Sequence, residues 1–415
     1  MAKYLIQGGN ELYGEVRVQR AKNSVLTLIA ASVMVKGKVK IVGCPKINDV
    51  LTMIKIIKRM GATAWFESDG LVIDCREIYT TKLPDKLTGE VRASFFTVGA
   101  LLSRFKTASL SHPGGCAIGA RPIDIHLEGL AALGADFGES DQRLNFFALK
   151  LHGARFRLKY PSVGATENLI MAATLADGVT VLENCAREPE IKDLQNFLNL
   201  CGAKITGAGT SCVKISGVKE LHGGADFVPI ADRIEAGTFL LAALCCGGEV
   251  AVKGVKYENI LPLMEKIKNN ACKTYIDNDN IYIKSMGQPT RFGSVVTAPY
   301  PLFPTDLQPQ LTAVAAAAQG RSVITETVFD NRFGFTEELS KMGADITVAG
   351  DTAVVNGRQL FGTEVFAKDL RGGAALTIAA LKAEGESVVH GVENLERGYE
   401  DLPNKLISLG AKITV

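Results

Sequence analysis

The stretch from His112 to Pro122, HPGGCAIGARP, puts a thiol and a guanidinium on one short, glycine-rich segment. Pro113-Gly114-Gly115 breaks regular structure and lets the backbone turn sharply. Cys116 follows directly, and Arg121 comes five residues later. Positive charge near a thiol favours the thiolate and attracts anionic substrates. Taken alone, Cys116 reads first as a small buried hydrophobe, which most free cysteines are.

Other cations sit in unusual surroundings. Lys22-Asn23 closes a polar stretch just before an apolar helix, where free amides and the helix dipole favour an anion. Arg92 leads into Ala93-Ser94-Phe95-Phe96, and Arg371 into Gly372-Gly373-Ala374-Ala375. Arg332 follows Asp330-Asn331, and Arg397 precedes Gly398-Tyr399. Each alone reads as a solvated charge or a helix cap. Placed at matched positions of a repeated unit, they can converge into a preorganised site for phosphate and carboxylate. One acid stands apart, Asp306 in the proline-stiffened run Tyr300-Pro301-Leu302-Phe303-Pro304-Thr305-Asp306. It reads as a helix N-cap, as a general base toward a substrate hydroxyl, or as both.

The elements that must hold these residues repeat. An apolar helix end, then Gly-Ala, then a strand recurs at Met60-Gly61-Ala62, Leu133-Gly134-Ala135, Cys201-Gly202-Ala203, Met342-Gly343-Ala344 and Leu409-Gly410-Ala411, with a degenerate copy at Asn270-Ala271-Cys272. The spacing is roughly 70 residues, too long for a solenoid unit and right for a small supersecondary module. In phase with it, an Ala/Leu-rich helix, a short turn and an alternating strand recur from Leu26, Leu169, Phe239, Leu311 and Leu376, more loosely from Phe95. Those helices are apolar nearly all round and should be buried, and the alternating strands should have one wet face. Six such units exceed one core, which predicts an α/β fold of two domains with three units each, divided again near Asp226 to Ala231. The strand-like segments Tyr4 to Gln7 and Glu15 to Val18 should pair with distant chain.

Composition narrows the function. At 47% apolar, 22% charged and a net charge of +2, nothing marks a nucleic-acid binder. Nine cysteines at irregular spacing form no disulfide framework, and with five histidines and no HExxH or CxxC pairs a metal site is not expected. No GxGxxG after a strand and no GxxxxGK[ST] point to a dinucleotide or P-loop. The N-terminus MAKYLIQGGN lacks a signal-peptide core, and the longest apolar run, Phe239 to Cys246, is too short for a bilayer; a cytoplasmic protein with no membrane partner is expected.

Taken together, AKN at Ala21 to Asn23, RAS at Arg92 to Ser94, PGGCAIGARPIDIH at Pro113 to His126, SVGATEN at Ser162 to Asn168, REPEI at Arg187 to Ile191 and DRIEAGTF at Asp232 to Phe239 form an ordered pattern. It continues with FPTDLQ at Phe303 to Gln308, ITETVFDNRF at Ile324 to Phe333, DLRGGAAL at Asp369 to Leu376 and ERGYE at Glu396 to Glu400. The chain resembles the UDP-N-acetylglucosamine 1-carboxyvinyltransferases, the MurA-type enolpyruvyl transferases, over nearly its full length. The resemblance implies two inside-out α/β domains, 22–229 and 1–21 plus 230–415, with the active site in the cleft between them. It implies transfer of the enolpyruvyl group of phosphoenolpyruvate to the 3′-hydroxyl of UDP-N-acetylglucosamine with release of phosphate, the committed step of peptidoglycan precursor synthesis, and no metal or organic cofactor. By the same resemblance Cys116 is the general acid, able to form a covalent phospholactoyl adduct and open to alkylation by fosfomycin. Lys22, Arg121 and Arg397 would hold the phosphoenolpyruvate anion, with Arg332 and Arg371 nearby, and Asp306 would take the sugar hydroxyl proton. Asn23, Arg92, Arg121, Pro122, Ile123, Asp124, Ile125, Ser162, Val163, Gly164 and Val328 would contact the nucleotide sugar.

Two places depart from the pattern. Gln19-Arg20 stands where Ser-Gly is expected, and Gly334-Phe335 where Met-His or similar is expected. A shikimate-type enolpyruvyl transferase would lack the cysteine loop. A non-catalytic nucleotide-sugar binder would need neither Cys116 nor Asp306. The RNA 3′-phosphate cyclases, which share the repeat unit, would need a nucleotidylated histidine and a basic face.

Overall fold

The computed structural model describes residues 2–112, 114 and 122–415. Cys116 and Arg121 lie outside the described residues. The chain divides into two compact units, one of residues 2–19 and 231–415, the other of residues 20–112, 114 and 122–230. Each has its own hydrophobic core, one running from Val25 to Ala225 and one from Tyr4 to Val18 and Ala231 to Ala411.

The repeat seen in the sequence is a repeat in space. The buried helices are Lys22–Ser32, Thr97–Phe105 and Val163–Thr174 in one unit, and Arg233–Cys246, Gln308–Ala317 and Leu370–Lys382 in the other. Because they are apolar on every side, they occupy the middle of each unit and are covered by sheets and by more polar helices. Every residue of Arg233–Cys246 is buried. Each fully buried Leu or Ile contributes roughly 1.5–3 kcal/mol relative to leaving it in water. Close approach of two buried helices fixes Gly99, since a Cβ there would lie 2.2 Å from the Asn168 carbonyl oxygen.

The strands after these helices share one pattern. Lys38–Val42, Thr107–Ser111, Val179–Glu183, Arg321–Thr325 and Glu386–His390 each bury their second and fourth residues. Each pairs antiparallel with a second strand, as in Val39↔Ile73 and Ile41↔Leu71. An outer parallel strand comes from elsewhere in the same unit: Ala225–Phe227 on Lys38–Val42, Arg155–Arg157 on Val179–Glu183, Ser294–Val296 on Arg321–Thr325, and Glu364–Phe366 on Glu386–His390. For Thr107–Ser111 that place is taken by a single bridge from Lys82 to Ser109.

The N-terminus completes two sheets far away in sequence. Lys3–Gln7 runs antiparallel to Glu386–His390, and Leu12–Arg17 runs parallel to Gly248–Lys253. Ala225–Phe227 closes the other unit by returning to its first strand. The glycine of every full Gly-Ala copy adopts the left-handed conformation, Gly61, Gly134, Gly202, Gly343 and Gly410, with φ from 91° to 113°. An L side chain rarely tolerates that conformation, so glycine ends the surface helix and starts the strand. The loosest copy of the other signature uses Lys106, at φ 65°, where its neighbours have glycine.

Candidate active site

In the unit of residues 231–415, three of the singled-out residues meet. Asp306 lies in the short 3-10 turn Thr305–Leu307, ahead of helix Gln308–Ala317. It does not cap that helix; its carboxylate is turned to two arginines. Oδ1 accepts from Arg332 Nη2 at 2.9 Å, and Oδ2 accepts from Arg371 Nη2 at 3.1 Å. Both guanidiniums are almost wholly buried, whereas the Asp306 side chain keeps 28% of its surface in solvent. Arg332 also donates from Nε and Nη2 to the Thr305 carbonyl, so it holds the turn that carries the acid.

The sequence sets this up locally. Asp369 caps helix Leu370–Lys382, its Oδ1 accepting from the N–H groups of Arg371 and Gly372, which fixes Arg371 in the first turn. Gly372 leaves room for Phe335, whose Cβ would lie 2.9 Å from a Cβ at that glycine. Phe335, of the Gly334-Phe335 departure, is thus buried against the helix start at Gly372. The Arg371 guanidinium also lies 5.5 Å from the ring centre of Tyr399. Burial opposes charge on Arg371, but Asp306 and Tyr399 more than offset it and hold the guanidinium above its ordinary range. The Tyr399 hydroxyl is 2.9 Å from Thr238 Oγ1 and accepts from Gln310 Nε2 at 3.2 Å. Burial, against the pull of Arg371, pushes the Tyr399 hydroxyl above its ordinary range and keeps it protonated.

Val328 enters through its backbone. Its N–H and that of Phe329 donate to Glu326 Oε1, and Glu326 Oε2 accepts from Thr305 Oγ1. One buried carboxylate therefore links the loop after strand Arg321–Thr325 to the turn of Asp306. Arg397 is half-buried on a segment beside Tyr399.

In the other unit, Lys22 is the first residue of its helix. Its ammonium lies 2.7 Å from Asp49 Oδ2, in the first turn of helix Asn48–Met60, with both side chains largely buried. The anion met at this helix start is thus a carboxylate of the chain itself. Asn23 is half-buried, and its carbonyl accepts from Thr27 Oγ1. Arg92 opens the turn Arg92–Phe96, close enough to His126 for its charge to act on the ring.

His126 joins the nucleotide-sugar candidates. Pro122 and Asp124 are exposed, while Ile123 and Ile125 are half-buried around the start of helix Asp124–Ala132. Ser162 caps helix Val163–Thr174, its Oγ accepting from the Ala165 N–H at 3.3 Å. A Cβ on Gly164 would fall 3.0 Å from Phe96 Cε1 and 3.4 Å from His126 Cε1, so the helix start presses on that ring. Asn168 Oδ1 accepts from the Gly99 N–H, which makes its Nδ2 the donor toward Phe95 O and His126 Nδ1. The neutral ring thus carries its proton on Nε2, on the Gly164 side. Burial first, and Arg92 second, push His126 down to about 3.

The EPSP synthase (3-phosphoshikimate 1-carboxyvinyltransferase) family matches residues 6–406. The chain belongs to this family of enolpyruvyl transferases. It is 49% identical to UDP-N-acetylglucosamine 1-carboxyvinyltransferase 2 of Caldanaerobacter subterraneus subsp. tengcongensis, over 100% of this chain and 99% of that one. It is 45% identical to UDP-N-acetylglucosamine 1-carboxyvinyltransferase of Halothermothrix orenii, with the same coverage. Among solved structures, the enolpyruvyl transferase NikO of Streptomyces tendae superposes with a TM-score of 0.90 at 26% identity, covering 99% of this chain and 98% of that one. An EPSP synthase of Acinetobacter baumannii superposes at 0.73 with 16% identity, a likeness of fold alone. The α/β architecture of repeated units is therefore that of the enolpyruvyl transferases.

Several residues that complete these clusters carried no role in the sequence reading. His126 and Tyr399 end or lie within the motifs PGGCAIGARPIDIH and ERGYE, and Glu326 lies within ITETVFDNRF. Asp49 offered no signal, because nothing in its neighbourhood names the distant lysine it holds.

Proposed function

We propose that the chain transfers the enolpyruvyl group of phosphoenolpyruvate to the 3′-hydroxyl of UDP-N-acetylglucosamine, releasing phosphate, as the committed step of peptidoglycan precursor synthesis in the cytoplasm. The observation that carries this reading is Asp306 bonded at both oxygens by Arg332 and Arg371, in a chain 43–49% identical along its length to relatives named for that reaction. Identity to the shikimate-type structure is far lower, at 16%, which favours the nucleotide sugar as acceptor.

In this reading Cys116 donates a proton to the methylene carbon of phosphoenolpyruvate, leaving positive charge at the carbon that bears the phosphate oxygen. Asp306 accepts the proton of the 3′-hydroxyl as its oxygen attacks that carbon. Loss of phosphate, with one methyl proton, then restores the double bond in the new ether. Arg332 and Arg371 do double duty. An incoming phosphate or carboxylate competes for their donors, so binding the donor loosens their hold on Asp306 and frees it to act as a base. Lys22 does the same by exchanging Asp49 for the substrate anion, and Arg121 and Arg397 complete its binding. Asn23, Arg92, Pro122 to Ile125, Ser162 to Gly164 and Val328 receive the nucleotide sugar. The neutral Nε2–H of His126 offers a donor beside Gly164. Fosfomycin alkylates the Cys116 thiol. Among the described residues no helix is long and apolar enough to cross a membrane.

The test is phosphate release from phosphoenolpyruvate with and without UDP-N-acetylglucosamine, beside Cys116→Ser and a fosfomycin-treated sample. Release that needs the nucleotide sugar and falls by about 10²–10⁴-fold in both controls is expected. Binding of UDP-N-acetylglucosamine without any release would replace the enzyme by a nucleotide-sugar binder.

A further inference from the structure

Gln19 departs from the family pattern, and its place in the structure gives it a use. It is buried and held at four points, all within the unit of residues 2–19 and 231–415. Its N–H donates to Glu235 Oε2 at 2.6 Å, and its carbonyl accepts from the Asp232 N–H at 2.8 Å. Its side-chain amide reaches across the chain: Nε2 donates to Gly398 O at 2.8 Å, and Oε1 accepts from the Glu400 N–H at 2.7 Å. Glu235 is itself anchored by Lys405, 2.7 Å from its Oε1. The amide thus grips the backbone on both sides of Tyr399 and directly after Arg397. Tyr399 in turn lies against Arg371, which holds Asp306.

We infer that Gln19 is a positioning residue for phosphoenolpyruvate, acting through the 398–400 backbone to fix Arg397 and the Tyr399 ring. The inference rests on the proposed reaction. Serine, the residue expected here, has a single hydroxyl two bonds nearer the backbone and cannot bond Gly398 O and Glu400 N–H in this two-pronged way. The chain therefore spends a buried primary amide where a smaller residue would leave a carbonyl and an N–H to find other partners. Such groups are costly to bury unpaired, so the amide holds the segment in one arrangement. A small misplacement of an anion-binding group is enough to lose a large part of the rate.

The experiment measures KM for each substrate and kcat in Gln19→Ser and in the volume-conserving Gln19→Met, each also in an Arg397→Lys background. Thermal melts identify the variants folded at the assay temperature; Gln19→Met, which keeps the packing, is read if Gln19→Ser is not. The expected result is a rise of roughly 10–100-fold in KM for phosphoenolpyruvate, with KM for UDP-N-acetylglucosamine within twofold of the parent. In the Arg397→Lys background the same substitution should add little, because the residue it positions is already impaired. An unchanged KM for phosphoenolpyruvate, an equal rise for both substrates, or a full effect in the Arg397→Lys background would overturn the inference. The parent protein separates the two readings: if it releases no phosphate, the proposed reaction fails, whereas an active parent with indifferent Gln19 variants overturns only the clamp.

Discussion

The two chemical clusters are built on opposite principles. Around Asp306 the working groups are charged and buried, with two guanidiniums sharing one carboxylate and an aromatic ring below one of them. At His126 the acting ring is neutral, held by an amide and pressed by a helix start, and elsewhere in that unit Lys22 pairs with Asp49. Burying charge without a partner is expensive, and the first cluster has its counter-charges built in. The second cluster avoids the expense by keeping its ring uncharged and using backbone and amide donors.

The contrast is sharpest at Asp306. Asp306→Asn should lower kcat by about 10²–10⁴-fold, measured as phosphate release, because the amide cannot take a proton. It should also cost about 1–3 kcal/mol in denaturant unfolding, since two buried guanidiniums lose their counter-charge. A loss of rate below tenfold would mean that the charged cluster binds without acting as a base.

Glu235 and His126 should also answer pH in opposite senses. Glu235 is wholly buried, and burial raises its carboxyl to about 7 despite Lys405. The folded protein therefore holds a proton that the unfolded chain has lost, and stability should fall as pH rises from about 4.5 to about 7. Glu235→Gln should remove that slope, a difference of order 3 kcal/mol across the window. His126 works the other way. Pushed down to about 3, it stays neutral in the fold while the unfolded chain takes a proton below 6.5. Its contribution is present above pH 6.5 and fades as pH falls toward 3, by about 2 kcal/mol at pH 5. His126→Gln should shrink the loss of stability between pH 8 and pH 5 by that amount, read from urea midpoints at both values. Equal slopes in parent and variant would show the ring to be accessible and charged, and would erase the difference between the clusters.

What the sequence alone determined is the repeat. Gly-Ala after an amphipathic helix, and alternation after an all-apolar one, are local patterns with local causes: left-handed backbone needs glycine, and period-2 burial needs a sheet. They located six units and the buried helices without any knowledge of contacts, and marked the N-terminal strands without naming the strands they pair with. They also placed Arg371 at a helix start, although the cap there is Asp369. Asp306 could be read as a cap or a base on sequence; its partners, 26 and 65 residues away, removed the first of these. Gln19 looked like a mere departure until its amide was found on residues 379 and 381 positions later. Tertiary structure decided such pairings because hydrogen bonds and ion pairs depend on distance in space, and no local pattern records which remote carbonyl, N–H or guanidinium the folded chain will bring within 3 Å.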